Sequence, residues 1–162
     1  MKKGILICLI FLSLKIYGQE LFFIGEKSFP CTKGYILKSN SDAYYINDLE
    51  VKFVKDNGNM MIALSTKTTD VGFSGKLIIY LEDGVVISSS KEALFDYVDK
   101  VALAVYYLTN EDLIKLKESN INTIKYSLKN KDGREGPFGG SFSSSNKSKI
   151  DFPKIISNFH EE

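Results

Sequence analysis

The chain has 162 residues with a formal net charge of +1, and its 44% hydrophobic content is ordinary for a folded domain. It lacks the basic excess that releases counterions from a phosphate backbone, which sets nucleic-acid binding aside. Two cysteines and one histidine leave little material for disulfide, zinc or imidazole chemistry.

Residues 1–18 read as an export signal. Lys2 and Lys3 form a basic start, residues 4–14 are apolar apart from Ser13, and Gly18 places a small residue before Gln19. The run is shorter than the roughly 20 residues a spanning helix needs, so cleavage between Gly18 and Gln19 is expected. Cys8 lies inside the run and follows Ile7, where lipid attachment would require a small residue. Cleavage takes Lys2, Lys3 and Lys15 and no acidic residue, so 21 basic side chains become 18 against an unchanged 20. Cys31 is then the remaining cysteine, and stability must come from packing. Residues 19–162 are expected to form a single β-rich globular domain with a C-terminal helix and no transmembrane segment, periplasmic or extracellular.

Strand signals dominate that domain. Residues 21–24 and 34–38 are short apolar runs that read as outer strands, separated by the turn-like Ser28-Phe29-Pro30. Leu49, Val51 and Phe53 alternate with Glu50 and Lys52, and Asp56-Asn57-Gly58-Asn59 joins them to residues 60–66 as a hairpin. A second hairpin pairs residues 76–81 with 85–89 across Glu82-Asp83-Gly84. Leu77, Ile79 and Leu81 occupy one face there and Ile78 and Tyr80 the other, which predicts a strand covered on both sides in the middle of the fold. Residues 90–100 are ambiguous: either Ser90 caps a helix through Ala93, Leu94 and Tyr97, or Asp96 and Asp99 mark a loop.

After a β-type run over 101–108, Thr109 and Asp112 approximate a capping box, and Leu108 and Leu113 take the places of a hydrophobic staple. Glu111 and Lys115 pair one turn apart, and Asn120 suits a left-handed close, so a helix is predicted over 110–119. Residues 121–128 return to strand character with Ile124, Tyr126 and Leu128 on one face; the helical link joins parallel neighbours or crosses between sheets. Residues 129–140 form a polar, glycine-rich loop, and 141–146 suit an edge strand or a mobile segment. Asp151 caps a final helix whose Phe152, Ile155, Ile156 and Phe159 fall on one stripe, with Pro153 in the first turn. The expected class is mainly β, an antiparallel β-sandwich-like domain with two or three short helices; the alternative is α+β with helices packed on one antiparallel sheet.

The stretches Phe23-Ile24-Gly25-Glu26-Lys27-Ser28-Phe29-Pro30-Cys31, Ile79-Tyr80-Leu81-Glu82-Asp83-Gly84 and Tyr106-Tyr107-Leu108-Thr109-Asn110-Glu111-Asp112-Leu113 onward through Lys117, with Ser119-Asn120-Ile121, together resemble a group of small exported bacterial proteins of unknown function. The resemblance implies export and a single domain, and it carries no activity.

Catalytic groupings are sparse, and no catalytic residue, metal ligand or cofactor is assigned. A Cys31 and His160 dyad would need the C-terminal tail pinned beside residue 31. The Ser-x-x-Lys spacings at Ser88-Ser89-Ser90-Lys91 and Ser144-Ser145-Asn146-Lys147 lack companion motifs, and in Gly72-Phe73-Ser74-Gly75 Lys76 stands where a nucleophile elbow needs glycine. Glu82 with Asp83, or Asp96 with Asp99, are the available carboxylate pairs. The Asp56 and Asn130 turns lack the full ligand ladder of a calcium loop. Two features suit recognition of a protein or glycan partner. Arg134 and Phe138 lie in a glycine-framed loop, and Tyr44-Tyr45 offers a stacking surface, although adjacent strand residues point to opposite faces and one tyrosine belongs to the core. Three functions follow: an exported non-enzymatic binding module, a small carboxylate-dependent hydrolase of envelope or extracellular polymers, and a periplasmic inhibitor or immunity protein. Protein recovered from outside the cytoplasm of its native host should begin at Gln19; N-terminal sequencing that reads Met1 on the soluble protein would refute the signal.

Overall fold

The computed structural model describes residues 20–89, 93–130 and 139–161. In chain order their elements are β1 (Glu20–Ile24), β2 (Lys27–Cys31), β3 (Tyr35–Ser39), β4 (Leu49–Asp56), β5 (Asn59–Lys67), β6 (Val71–Leu81), β7 (Val86–Ser89), β8 (Ala93–Val98), β9 (Val101–Tyr107), α1 (Asn110–Glu118), β10 (Ile121–Asn130), β11 (Gly140–Ser145) and α2 (Phe152–Glu161). The expected fold class is what forms: a mainly β, antiparallel, sandwich-like domain with two helices among the described residues. Its strands join as β7-β6-β10-β11-β3-β4-β5-β9-β8, with the β1–β2 hairpin attached beside β4. The order folds over at the narrow β11–β3 junction, where Ser144 and Ser145 pair with Ser39 and Lys38. Far ends of the path meet again through Tyr97, whose hydroxyl donates to the Thr68 carbonyl and accepts from the Asp70 N–H at 3.1 Å.

The two halves enclose one large core that includes Leu49, Val51 and Phe53 of β4, Leu77 and Ile79 of β6, and Ile124 and Tyr126 of β10. Helices seal it, with Leu113 and Leu116 from α1 and Phe152, Ile156 and Phe159 from α2. The side chain of Asn120 ties them together by accepting the N–H groups of Ile121 and Phe152 at 3.0 and 3.2 Å. A second, smaller cluster lies on the outer face of the sheet. There Phe22, Ile24, Phe29 and Cys31 of the β1–β2 hairpin cover Val54, Met61, Ala63 and Val105.

Strands β4, β5 and β9 all reach both clusters, and β5, paired between the other two, has the longest run of buried residues. Its Met60, Ile62 and Leu64 point into the large core, and Met61 and Ala63 point out beneath the hairpin. The Asn57-Gly58 turn that starts it has both residues at positive φ, 48° and 83°, as a two-residue hairpin requires.

Several expectations are corrected. Residues 76–81 are paired along both edges but buried on one face only, because Tyr80 is exposed; β5 takes the doubly covered position instead. Ser28-Phe29-Pro30 is part of β2, and the turn sits at Gly25-Glu26 with Gly25 at φ 55°. Residues 93–98 of the ambiguous segment form a strand, joined to β9 through Asp99-Lys100, both left-handed at φ 50° and 65°. Ser119 leaves α1 in an extended conformation, and Asn120 is not left-handed. The α1 link crosses from one half of the sandwich to the other rather than joining parallel neighbours. Segment 140–145 is no edge strand, since it bridges β10 to β3.

The free edge of β8 is blunted by a charge. Asp96 accepts the Gly25 N–H at 2.8 Å through one oxygen and the Tyr97 N–H at 2.7 Å through the other, which docks the hairpin turn there. Left-handed Lys100 carries roughly 1–2 kcal/mol of steric cost that glycine avoids, against roughly 0.5–1 kcal/mol of extra unfolded-state entropy for glycine. Lys100→Gly should therefore stabilise the fold by about 0.5–1 kcal/mol in urea titration, and a loss of stability would contradict the turn geometry.

Candidate functional site

The β1–β2 hairpin covers part of the outer face of β4, β5 and β9 and leaves the rest open. At that boundary the outward residues of β5 change from Met61 and Ala63 to Ser65 and Lys67. A groove of about 860 Å³ begins there, within the roughly 300–1,000 Å³ usual for ligand sites.

Register fixes its floor. One row across the sheet runs Ile36, Glu50, Ser65 and Leu103. In the next row Lys67 pairs with Val101, and continuing the β3–β4 ladder by one residue and the β4–β5 ladder by two sets Asp48 between Lys38 and Lys67. The loop over residues 40–48 forms one wall, contributing Ser41, Ile46 and Asn47.

Each polar group on the floor is held in a defined place. Lys38 Nζ lies 2.7 Å from Asp48 Oδ2, and the Ser39 N–H donates to Asp48 Oδ1 at 3.0 Å. The Lys38 hydrogen bond, followed by the Ser39 N–H, holds the Asp48 carboxyl below the usual carboxylate range. Ser65, a residue only 8% exposed, donates its hydroxyl to Glu50 Oε2 at 2.7 Å. The rest of that carboxylate lies against Gly34, where a Cβ would collide with Glu50 Oε1 and sit 2.6 Å from its Cδ. A side chain at residue 34 would therefore push the Glu50 carboxylate out of this position. Asn47 Nδ2 donates to the Lys67 carbonyl at 2.9 Å, and Thr66 Oγ1 donates to the carbonyls of Asn47 and Asp48, which fixes the loop to β5. Lys67 Nζ joins no ion pair among the described residues.

The tyrosine pair divides into one exposed and one partly buried ring, but in a turn of the 40–48 loop rather than in a strand. Tyr44 is 87% exposed, and its ring meets Tyr45 edge-on at 5.4 Å. Tyr45 is partly buried and packs on Phe142 at 6.3 Å. Both belong to the loop that walls the groove. Arg134, Phe138, Gly18 and Gln19 lie outside the described residues. Lys38, Asp48, Glu50, Ser65 and Lys67 were not singled out from sequence; the alternation of Glu50 and Lys52 in β4 marks a solvent face, and the polar end of the β5 run marks where its cover stops.

Other groupings are not assembled. Cys31 is buried in the hairpin cluster, where desolvation raises its thiol, whereas α2 with His160 packs in the large core on the other face of the sheet. Asp83 accepts the Val85 N–H within its turn, and Asp96 holds the β8 edge. Ser144 is fully buried, and Gly72 to Gly75 lie within β6 rather than at a strand-to-helix elbow. Among the described residues no three or more His, Cys, Asp or Glu side chains are placed to hold a metal ion, and no helix is long and apolar enough to cross a membrane. No protein-family model, curated protein or solved structure matches this chain.

Because the folded state depresses the Asp48 pKa, its contribution to stability is complete above the unfolded value of ~3.9 and is lost as pH falls through the lower folded value. The difference in urea midpoint between wild type and Asp48→Asn should therefore stay constant from about pH 5 to 8 and close below about pH 4. A difference that widens on acidification would contradict the Lys38–Asp48 assignment.

Proposed function

We propose that this chain is an exported, non-enzymatic binding module whose ligand lies in the groove on β3, β4, β5 and β9. The observation that carries the reading is the division of the outer sheet face. Its apolar part is covered by the chain's own hairpin, and its polar part is left open with side chains locked in position. Preorganised polar groups lose little entropy on binding, which is what a recognition surface needs. Tyr44 stands exposed on the same loop as Ser41, Ile46 and Asn47 but does not line the groove.

The two carboxylates in one groove, Asp48 and Glu50, favour a small hydrolase as the second reading. Against it, both are engaged within the protein, and the pairing with Lys38 opposes the raised pKa a proton donor requires. An inhibitor or immunity protein would use the same face, or the Arg134 and Phe138 loop, for a protein partner.

Binding is tested by sedimenting the purified protein with insoluble envelope material from its native host. Wild type should pellet, whereas Gly34→Ala, which displaces Glu50, and Lys67→Ala should remain in the supernatant while still unfolding cooperatively. Equal sedimentation of wild type and both variants would remove the groove from the account. Loss confined to the Arg134→Ala, Phe138→Ala double variant would move the site to that loop. Release of soluble fragments from the pellet, abolished by Glu50→Gln, would establish the hydrolase instead.

A further inference from the structure

We infer that the groove takes a neutral, hydroxyl-rich chain, a glycan; the ligand class rests on the reading of the groove as the binding site. The charges on its floor cancel, since Lys38 and Lys67 on the flanking strands are matched by Asp48 and Glu50 on β4 and the loop before it. A polyanion would meet two carboxylates and a polycation two ammonium groups, so neither gains the attraction that a floor of one sign provides.

Peptide capture is disfavoured by the setting. Extended peptides bind folded domains by adding a strand to a free edge, but this floor is the face of a sheet whose β4 and β5 are paired on both sides. Backbone hydrogen bonds are therefore not on offer there.

What the floor still offers is mixed. Lys67 Nζ is a donor without an ion-pair partner among the described residues, and the Glu50 carboxylate, held between Ser65 and Gly34, keeps acceptor lone pairs beyond the one that Ser65 occupies. They are diagonal neighbours across the β4–β5 ladder, roughly 7–8 Å apart at the backbone. Hydroxyl groups both donate and accept, so successive hydroxyls of a sugar ring satisfy such a pair without placing a net charge in the groove. Apolar corners complete the match: Ile36, 44% exposed, adjoins Glu50, and Val101 adjoins Lys67, so the C–H faces of the same rings have surface to cover.

The test is a nitrogen-15 NMR titration of the chain expressed from Met1 and purified as its host processes it. The probes are cello-, laminari-, malto- and chito-oligosaccharides, a glycine-alanine hexapeptide and inorganic polyphosphate. A neutral oligosaccharide should shift the amides of Ile36, Glu50, Ser65 and Lys67 while leaving β6 and β10 in place. Glu50→Gln and Lys67→Ala should each weaken that binding roughly tenfold. Shifts of the groove amides by the peptide or by polyphosphate, with none from the sugars, would overturn the glycan class and leave the groove as the site. Groove amides that no probe moves would overturn both. Sugar binding that both variants retain would place the glycan elsewhere and overturn this assignment.

Discussion

Burial of β5 on both faces is the constraint on which the rest of this domain depends. Met60, Ile62 and Leu64 anchor the large core, and Met61 and Ala63 anchor the hairpin that packs outside. Each fully buried side chain of this size removes enough apolar area to contribute roughly 1.5–3 kcal/mol, so a strand contributing to both clusters outweighs any edge strand. The hairpin holds because β5 presents apolar residues outward, and it stops where those residues become Ser65 and Lys67. The groove is the consequence of that change.

Packing and recognition are therefore adjacent on one strand without competing. Ser65 is nearly as buried as the core, yet its hydroxyl is committed to Glu50, and the absence of a side chain at Gly34 lets that carboxylate lie flat on the backbone. Lys38 and Asp48 neutralise each other at the surface, where such a pair contributes little to stability but fixes two side chains in place. Asp96 performs a comparable task at the opposite end of the fold. Its carboxylate caps the exposed edge of β8 and receives the turn of the hairpin that covers β5.

Local chemistry made much of this fold legible. The Asn57-Gly58 and Asp83-Gly84 turns announce their hairpins, and the Thr109 and Asp112 box announces α1. The first turn also fixes register, so that Glu50 must face Ser65, and half of the groove floor follows from four turn residues. The flanks of the floor do not, because β3 and β9 reach it through pairings that leave no local signature in either segment. Strand β8 was hidden because its turn is Asp99-Lys100, a pair without the glycine that normally marks positive φ. Residues 76–81 read as doubly buried because Tyr80 is apolar in its ring and still tolerates solvent. Of the tyrosine pair, the burial of one ring was legible; that they sit in a turn with rings edge-on to each other, instead of on opposite faces of a strand, was not.

Native-state hydrogen exchange tests the central role of β5 most directly. If the strand is the central anchor of both clusters, the amides of Met61 to Ser65 exchange only through global unfolding, with the same free energy as denaturant unfolding, while β1 and β8 open at lower cost. Amides in β5 that exchange faster than those of β6 and β10 would contradict the account, because β5 would then not be the strand on which both clusters depend.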